Sequence, residues 1–432
     1  MPSNFVDELR WRGLIQNIIP ETEEQLLESP ISGYIGFDPT ADSLHIGSLV
    51  QIFILIHFQN AGHRPIALVG GATGMIGDPS GKSDERNLLD SKILDNNCAG
   101  IKKQLEKFLS FDTSKSNAAV LVNNYDWTKS YTLIDFSREI GKHITVNYMM
   151  AKESVKKRLG PESKNGMSFT EFTYQLLQGF DFLYLYKEYD CKLQMGGSDQ
   201  WGNIITGIEL IRRKEGGKVY ALTCPLITKA DGSKFGKTEG GNIWLDEKRT
   251  SVYKFYQYWL NTSDEDAYRY IKIFTFLNQN EIKILVAEHQ KAPHQRLLQN
   301  KIAETVTSLV HTEMALQKAK QASQILFGNS TKNDLKVLDI ETFLEVFEGV
   351  PQASIELDRL KQGVDMIAAL AAEVPFLKSK GEARRALKEN SICVNKQKVK
   401  EDYTLTEQDI IAGHYILLQR GKKSYFIVKL VS

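Results

Sequence analysis

Along the first half of the chain, short apolar runs without internal alternation take turns with longer stretches of helical periodicity. The runs are "GYIGFD" (33–38), "PIALVGG" (65–71), "AAVLVNN" (118–124), "CKLQMGG" (191–197) and "KVYALTCPLI" (218–227), most of them closed by Gly, Asp or Asn. Between them lie "SLVQIFILIHFQNAG" (48–62), "YTLIDFSREIG" (131–141), "FTEFTYQLLQGFDFLYLYKEY" (169–189) and "SDQWGNIITGIELIRRK" (198–214), which predict helices. Unalternating strands joined by helices predict an α/β fold whose parallel sheet is covered on both faces. Ligands in such folds bind beyond the carboxyl ends of the strands, where Asp38, Gly70, Gly71, Asn123, Asn124, Gly196 and Gly197 gather.

After about residue 246 the strand signals stop. Segments 247–260, 264–277, 280–290 and 293–325 read as helices, and "LFGNSTKNDLK" (326–336) is polar and turn-rich. A basic helix near 380–389 and the runs "SICVN", "YILLQRG" and "SYFIVKLV" then predict a small α+β unit. The expected division is an α/β catalytic domain over 1–246, a helical domain over 247–330, a linker region over 331–349 and a C-terminal domain over 350–432.

Composition changes this picture little. Hydrophobic and charged contents of 42% and 25% are those of a globular protein, and a net charge of +1 exerts no global pull toward nucleic acid or membrane. Any such pull must be local. Cys98, Cys191, Cys224 and Cys393 are far apart and lack a nearby His, which argues against a zinc site or disulfide framework and for a reducing compartment. The N-terminus has acidic residues and no apolar core of a signal peptide. The longest apolar run, "IFILIHF", is far short of the roughly 20 residues a membrane span needs. The expectation is a soluble, cytoplasmic protein without a protein-bound metal.

Four stretches carry chemistry. In "DPTADSLHIGSL" (38–49) an imidazole, His45, stands at the mouth of a helix beside Gly47. Helix N-termini attract phosphate, and Gly47 lets another group approach the backbone; the plainer reading is that His45 caps the helix. In "GGATGMIGDPSGKSDER" (70–86) Ile76 stands where a Walker loop needs glycine, so this is a glycine-rich loop bearing Asp78, Lys82 and Arg86, suited to a polyphosphate or merely solvated. "TKADGSKFGKTEGG" (228–241) has Phe235 as its single apolar anchor, and its Lys234 and Lys237 suit closure over a triphosphate and neutralisation of a leaving pyrophosphate. On the helix around "YQLLQGFDF", Tyr174, Gln178 and Asp181 share one face where a packing stripe would be apolar, which suggests a pocket wall; the alternative is a solvated face. Asp199 and Gln200 start the next helix after a strand, a place from which a carboxylate reaches ribose hydroxyls.

Taken together, "GYIGFDPTADSLHIGS", the 70–86 loop, "EFTYQLLQGFDF", "QMGGSDQWGN" and "KFGKT" resemble, in order and over nearly the whole chain, the bacterial-type tyrosyl-tRNA synthetases, class I enzymes with a Rossmann-like catalytic domain. The resemblance implies tyrosine activation by ATP, with Mg2+, followed by transfer to the 2′-hydroxyl of the terminal ribose of tRNA(Tyr). It implies that Tyr34 and Asp181 bind the phenol hydroxyl and that Tyr174, Gln178 and Asp78 hold the ammonium group, with Asp38 and Gln194 as further polar groups of the pocket. Thr40 and His45 would bind phosphates, and Lys82, Arg86, Lys234, Lys237 and Thr238 would stabilise departing pyrophosphate. Gly36, Gly47, Gly197, Asp199 and Gln200 would line ATP. Ser48 stands where the family usually has a second signature histidine, which changes one ATP contact. A homodimer is likewise implied.

The C-terminal unit resembles the small RNA-binding fold first known from a ribosomal protein. Residues 376–400 carry an excess of six positive charges, among them Lys378, Lys380, Arg384, Arg385 and Lys388, which favours an RNA-phosphate patch over a merely solvated face. Three rivals remain open at this point: a small nucleotidylyltransferase, a tryptophan-specific relative, and a non-catalytic RNA-binding relative.

Overall fold

The computed structural model describes residues 4–80, 90–159, 166–238, 241–327, 332–336, 338–421 and 424–431. The chain divides into two compact units, one formed by 1–250 with 258–310 and the other by 251–257 with 311–432.

The first unit is built on a sheet of β1 (Asn17–Ile18), β2 (Ser32–Phe37), β3 (Arg64–Val69), β4 (Val120–Asn123), β5 (Cys191–Gly197) and β6 (Tyr220–Cys224). Their spatial order is β1-β6-β5-β2-β3-β4, and all neighbours are parallel except the β1–β6 edge pair. From β2 the chain builds outward through β3 and β4, then crosses back to β5 and β6. The strand order therefore reverses between β2 and β5, and a crevice opens at the carboxyl ends of those two strands.

Helix Phe169–Tyr189 occupies the residues its periodicity predicts. Ser168 and Glu171 form a capping box at its start, and Asp190 ends it in the left-handed conformation (φ 46°). Its Leu176, Phe180 and Leu183 pack into a core with Tyr34, Ile66 and Leu68. A Cβ built on Gly179 would lie 3.4 Å from the Gly207 backbone, so the two glycines let this helix and Trp201–Glu215 approach closely. The 293–325 stretch, expected as one helix, is divided at His311–Thr312 into Leu297–Val310 and Glu313–Phe327. Thr312 Oγ1 accepts the Ala315 N–H at 3.0 Å and so starts the second helix.

In the second unit a five-stranded sheet runs Gln397–Lys398, Ile392–Val394, Tyr415–Arg420, Ser424–Val431 and Gln352–Glu356, the last pair parallel. Helix Lys380–Lys388 seats Ala383, Ala386 and Leu387 in a core with Ile392, Ile416, Leu418 and Phe426. The 331–349 stretch, expected as a linker, carries helices Lys332–Lys336 and Ile340–Val346. Leu335, Phe343 and Phe347 anchor it in a cluster with Tyr415, Leu417 and Ile427, and Lys332 pairs with buried Asp409 at 2.8 Å. These few apolar residues, at helical spacing, outweigh the polar look of the stretch.

Candidate active site

A cavity of about 250 Å³ opens where β2 and β5 part. Tyr34, Gly36 and Asp38 reach it from β2 and the turn beyond, and Gln194, Gly197, Asp199 and Gln200 from β5 and the turn after it. Asp78 comes from the loop after β3, and Tyr174, Gln178 and Asp181 from helix Phe169–Tyr189. With Gly196, twelve of the residues singled out from the sequence thus line one cavity.

Its floor is a fixed carboxylate beside a waiting phenol. Asn124 Nδ2 donates to Asp181 Oδ2 and Trp127 Nε1 to Oδ1, each at 2.9 Å. Full burial pushes the Asp181 carboxyl up to about 7, against the pull of those two donors. The Tyr34 hydroxyl is buried without a hydrogen-bond partner among the described residues, as is Gln194 Oε1. Burial, and then the Asp181 carboxylate, push the Tyr34 phenol well above its ordinary value, so it stays neutral.

One wall is an amide network. Gln200 Nε2 donates to Asp78 Oδ2 at 2.7 Å, and Asn203 Nδ2 donates to Gln178 Oε1 at 3.0 Å and to Ser80 Oγ at 3.2 Å. Burial, and then Asp78, raise the Asp199 carboxyl. Opposite, the Tyr174 hydroxyl and Thr73 Oγ1 each lie 3.5 Å from an oxygen of Asp38. Asn124, Trp127 and Asn203 were not singled out as site residues from sequence. Asn124 belongs to the polar cluster at the strand ends, and that position was the available signal. Trp127 and Asn203 act on the carboxylate and amides that line the cavity, and no spacing in the sequence reveals this.

At the next helix mouth, His45 Nδ1 accepts the Gly47 N–H at 3.0 Å and caps the turn Ile46–Ser48 that leads into helix Leu49–Asn60. Nδ1 is thereby the acceptor, and Nε2 carries the proton. A Cβ on Gly47 would lie 2.7 Å from the ring, so the group whose approach Gly47 permits is His45's own imidazole. Both plain capping and a donor-bearing imidazole are present at once. The ring edge faces Trp244, centroids 6.1 Å apart.

Ile243–Leu245 link this turn to the lysine-bearing loop. The Ile46 N–H donates to Ile243 O at 3.0 Å, and the Ile243 N–H to Gly236 O at 3.1 Å. Lys234 is exposed. Lys237–Thr238 pair with Gly241–Asn242 through the backbone, their side chains being outside the described residues. Lys82 and Arg86 also lie outside the described residues. Thr40 is exposed in the turn after β2, and Ser48 makes no side-chain cap. In the second unit Lys378, Lys380, Arg384, Arg385 and Lys388 are all exposed.

A family model described as tRNA synthetases class I (W and Y) matches residues 26–328. The chain belongs to this family. A second model, Tyrosine--tRNA ligase SYY-like C-terminal domain, matches residues 339–428. The chain is 64% identical over 427 residues to a Tyrosine--tRNA ligase of Flavobacterium psychrophilum, covering 98% of this chain and 99% of that protein. It is 60% identical over 426 residues, with the same coverage, to a Tyrosine--tRNA ligase of Bacteroides fragilis. Among solved structures, a C-terminally truncated Aspergillus nidulans mitochondrial tyrosyl-tRNA synthetase is similar with a TM-score of 0.67 and 30% identity, over 75% of this chain and 94% of that one.

Proposed function

We propose that the chain is a tyrosine–tRNA ligase that joins L-tyrosine to tRNA(Tyr) in two steps, forming tyrosyl-adenylate and pyrophosphate from ATP and then transferring tyrosine to the terminal ribose. The observation that carries the tyrosine reading is the buried pair Tyr34–Asp181. The Tyr34 hydroxyl has no partner among the described residues, and Asp181 is oriented by two donors that leave lone pairs for a third. A substrate phenol supplies both missing partners. An indole N–H could donate to Asp181 but could not accept from Tyr34.

Tyr174, Gln178 and Asp78 hold the ammonium group, with Asp38 and Gln194 as nearby polar groups. Ordering the amino acid this way turns its carboxylate toward the α-phosphorus of ATP. The carboxylate is already ionised and is itself the nucleophile, so no general base is needed. Positioning and charge stabilisation carry the rate. The Nε2–H of His45, with Thr40, donates to the phosphates. Lys82, Arg86, Lys234, Lys237 and Thr238 stabilise the departing pyrophosphate, while Gly36, Gly47, Ser48, Gly197, Asp199 and Gln200 face the nucleotide. No cluster of three or more His, Cys, Asp or Glu side chains suits a metal among the described residues. Magnesium would accompany ATP as its complex and supply charge neutralisation at the phosphates.

The exposed basic face of Lys380–Lys388, with Lys378, binds tRNA phosphate. The chain acts as a homodimer in the cytoplasm. Leu133, Ile134 and Val146, 76%, 70% and 62% exposed, are apolar side chains that a second copy would cover. Four unpaired cysteines suit a reducing compartment. Pyrophosphate exchange into ATP with tyrosine, with tryptophan and with neither tests the reading. Exchange is expected with tyrosine alone, and tryptophan-dependent exchange of equal rate would overturn it.

A further inference from the structure

The lysine-bearing loop after β6 has one apolar anchor, Phe235, and it is half-buried. Phe235 lies flat against Phe274, with ring centroids 5.5 Å apart at 12°, and meets Tyr270, Trp259 and Tyr258 at 5.1, 5.9 and 6.3 Å. Trp259, Tyr270 and Phe274 are themselves fully buried, so the seat is a rigid aromatic socket and not a surface patch. The next residue is fixed as well. Gly236 has φ +83° and donates its N–H to the Tyr258 hydroxyl at 3.3 Å, and a Cβ there would meet Ile46 at 3.0 Å and the Gly47 nitrogen at 3.6 Å. At the base of the loop, buried Asp266 accepts the Ala230 N–H at 2.9 Å, and the Lys229 and Ser233 backbones close a turn at 2.9 Å.

The loop is therefore pinned at its base and at Phe235. Lys234 is adjacent to the pin on one side, and Lys237 is two residues beyond it on the other. We propose that Phe235 is a positioning residue for the activation step: its seat in the Tyr258, Trp259, Tyr270 and Phe274 socket sets the height of Lys234 and Lys237 over the turn that carries His45 and Gly47. This rests on the reading of those lysines as pyrophosphate-stabilising groups. The chemistry is unchanged, because Phe235 touches no reacting atom. It holds charges where negative charge develops, and misplacement by about 1 Å costs such a site roughly 100-fold in rate.

The test uses the full-length protein carrying Phe235→Ala, Phe235→Met, Lys234→Ala and the Phe235→Ala/Lys234→Ala pair. The rate of adenylate formation is measured in a single turnover, alongside tyrosine affinity and the rate of tryptic cleavage within 228–238. Phe235→Ala is expected to slow adenylate formation by about 10- to 100-fold, to leave tyrosine affinity within about twofold and to speed loop cleavage. Phe235→Met, apolar and adaptable, should refill the socket and return the rate to within about threefold of wild type. The double variant should be slower than Lys234→Ala, but by a smaller factor than Phe235→Ala slows the wild type, because only Lys237 is then left to be misplaced. A normal rate in Phe235→Ala overturns the proposal, as does equal loss of rate and tyrosine affinity, or failure of Phe235→Met to restore. A normal rate in Lys234→Ala and in a matching Lys237→Ala variant overturns instead the reading of the lysines.

Discussion

Asn124 donates to Asp181 at 2.9 Å, from the end of one strand to the middle of a helix 57 residues later. The same Asn124 amide donates to Thr73 Oγ1 at 3.0 Å, and its carbonyl oxygen accepts the Ala72 N–H at 2.7 Å. Asn124 thus ties the glycine-rich turn after β3 to the carboxylate that would read the substrate hydroxyl. A hydrogen bond to a buried charged group is worth about 1.5–3 kcal/mol. Asn124→Ala should therefore weaken tyrosine binding by roughly 10- to 100-fold while barely changing binding of phenylalanine, which has no hydroxyl to present. Calorimetric titration of both amino acids checks this; equal loss for both would mean that Asn124 only shapes the cavity.

Asp181 also makes tyrosine binding pH-dependent. Its carboxyl is pushed up to about 7 by burial, from an ordinary value of 3.8. A phenol that donates to the carboxylate favours the ionised form, so binding near pH 6 should release close to one proton. Tyrosine affinity should rise with pH up to about 7 and then level off. Titrations at pH 6 in buffers of different ionisation enthalpy count that proton. For stability the direction is opposite. Between pH about 4 and about 7 the folded chain holds a proton at Asp181 that the unfolded chain has lost, so this residue makes stability fall as pH rises through that window. Asp181→Asn should flatten that fall, read by thermal unfolding at pH 5 and pH 8.

At the helix mouth, Gly47 and His45 should behave as one unit. A Cβ on residue 47 would lie 2.7 and 2.9 Å from imidazole atoms, so Gly47→Ala must turn the ring away. Gly47→Ala and His45→Ala are each expected to slow adenylate formation by about 100- to 1,000-fold, the range for loss of one oriented donor, with tyrosine affinity little changed. The double variant should be no slower than the worse single one. Single-turnover rates decide it, and fully additive losses would separate the glycine from the histidine.

The elements legible in the sequence are those whose pattern is local. Helix Phe169–Tyr189 has its capping box and its apolar stripe within its own residues, and strand Arg64–Val69 is an unbroken apolar run after its first residue. Asn17–Ile18 have no such pattern, because a two-residue edge strand exists only through its antiparallel pairing with Leu222 and Thr223. The break at His311–Thr312 was hidden because apolar periodicity continues on both sides of the cap. In the cavity, the residues that face the open space were legible as misplaced polar side chains on a helix or as clusters at strand ends. The residues that orient them, Trp127 and Asn203, are placed by tertiary contact. Trp127 reads as an ordinary aromatic core residue, stacked on Tyr184 at 4.4 Å, until its indole N–H is followed to Asp181.

The basic helix of the second unit makes a prediction that needs the whole chain. Ala383, Ala386 and Leu387 are buried, which turns Arg384, Arg385 and Lys388 outward together. Arg384 is only loosely engaged, 3.8 Å from exposed Glu401, a surface pair of little energetic worth. Glu382, the acidic residue of the same helix, is drawn away by Arg420 at 2.6 Å and accepts the Lys378 N–H at 3.0 Å, which leaves the outward face net positive. Each phosphate neutralised by such a side chain releases counterions and adds roughly 0.7–0.9 to the slope of log affinity against log salt. Arg384→Ala/Arg385→Ala should therefore weaken tRNA binding, lower the magnitude of that slope by about 1.5, and leave tyrosine-dependent pyrophosphate exchange at the wild-type rate. Filter binding of tRNA between about 50 and 200 mM salt, the range over which such contacts act most strongly, measures the slope. An unchanged slope with unchanged aminoacylation would remove this helix from the tRNA-binding surface, whereas a loss of pyrophosphate exchange would show that the substitutions disturb the catalytic unit.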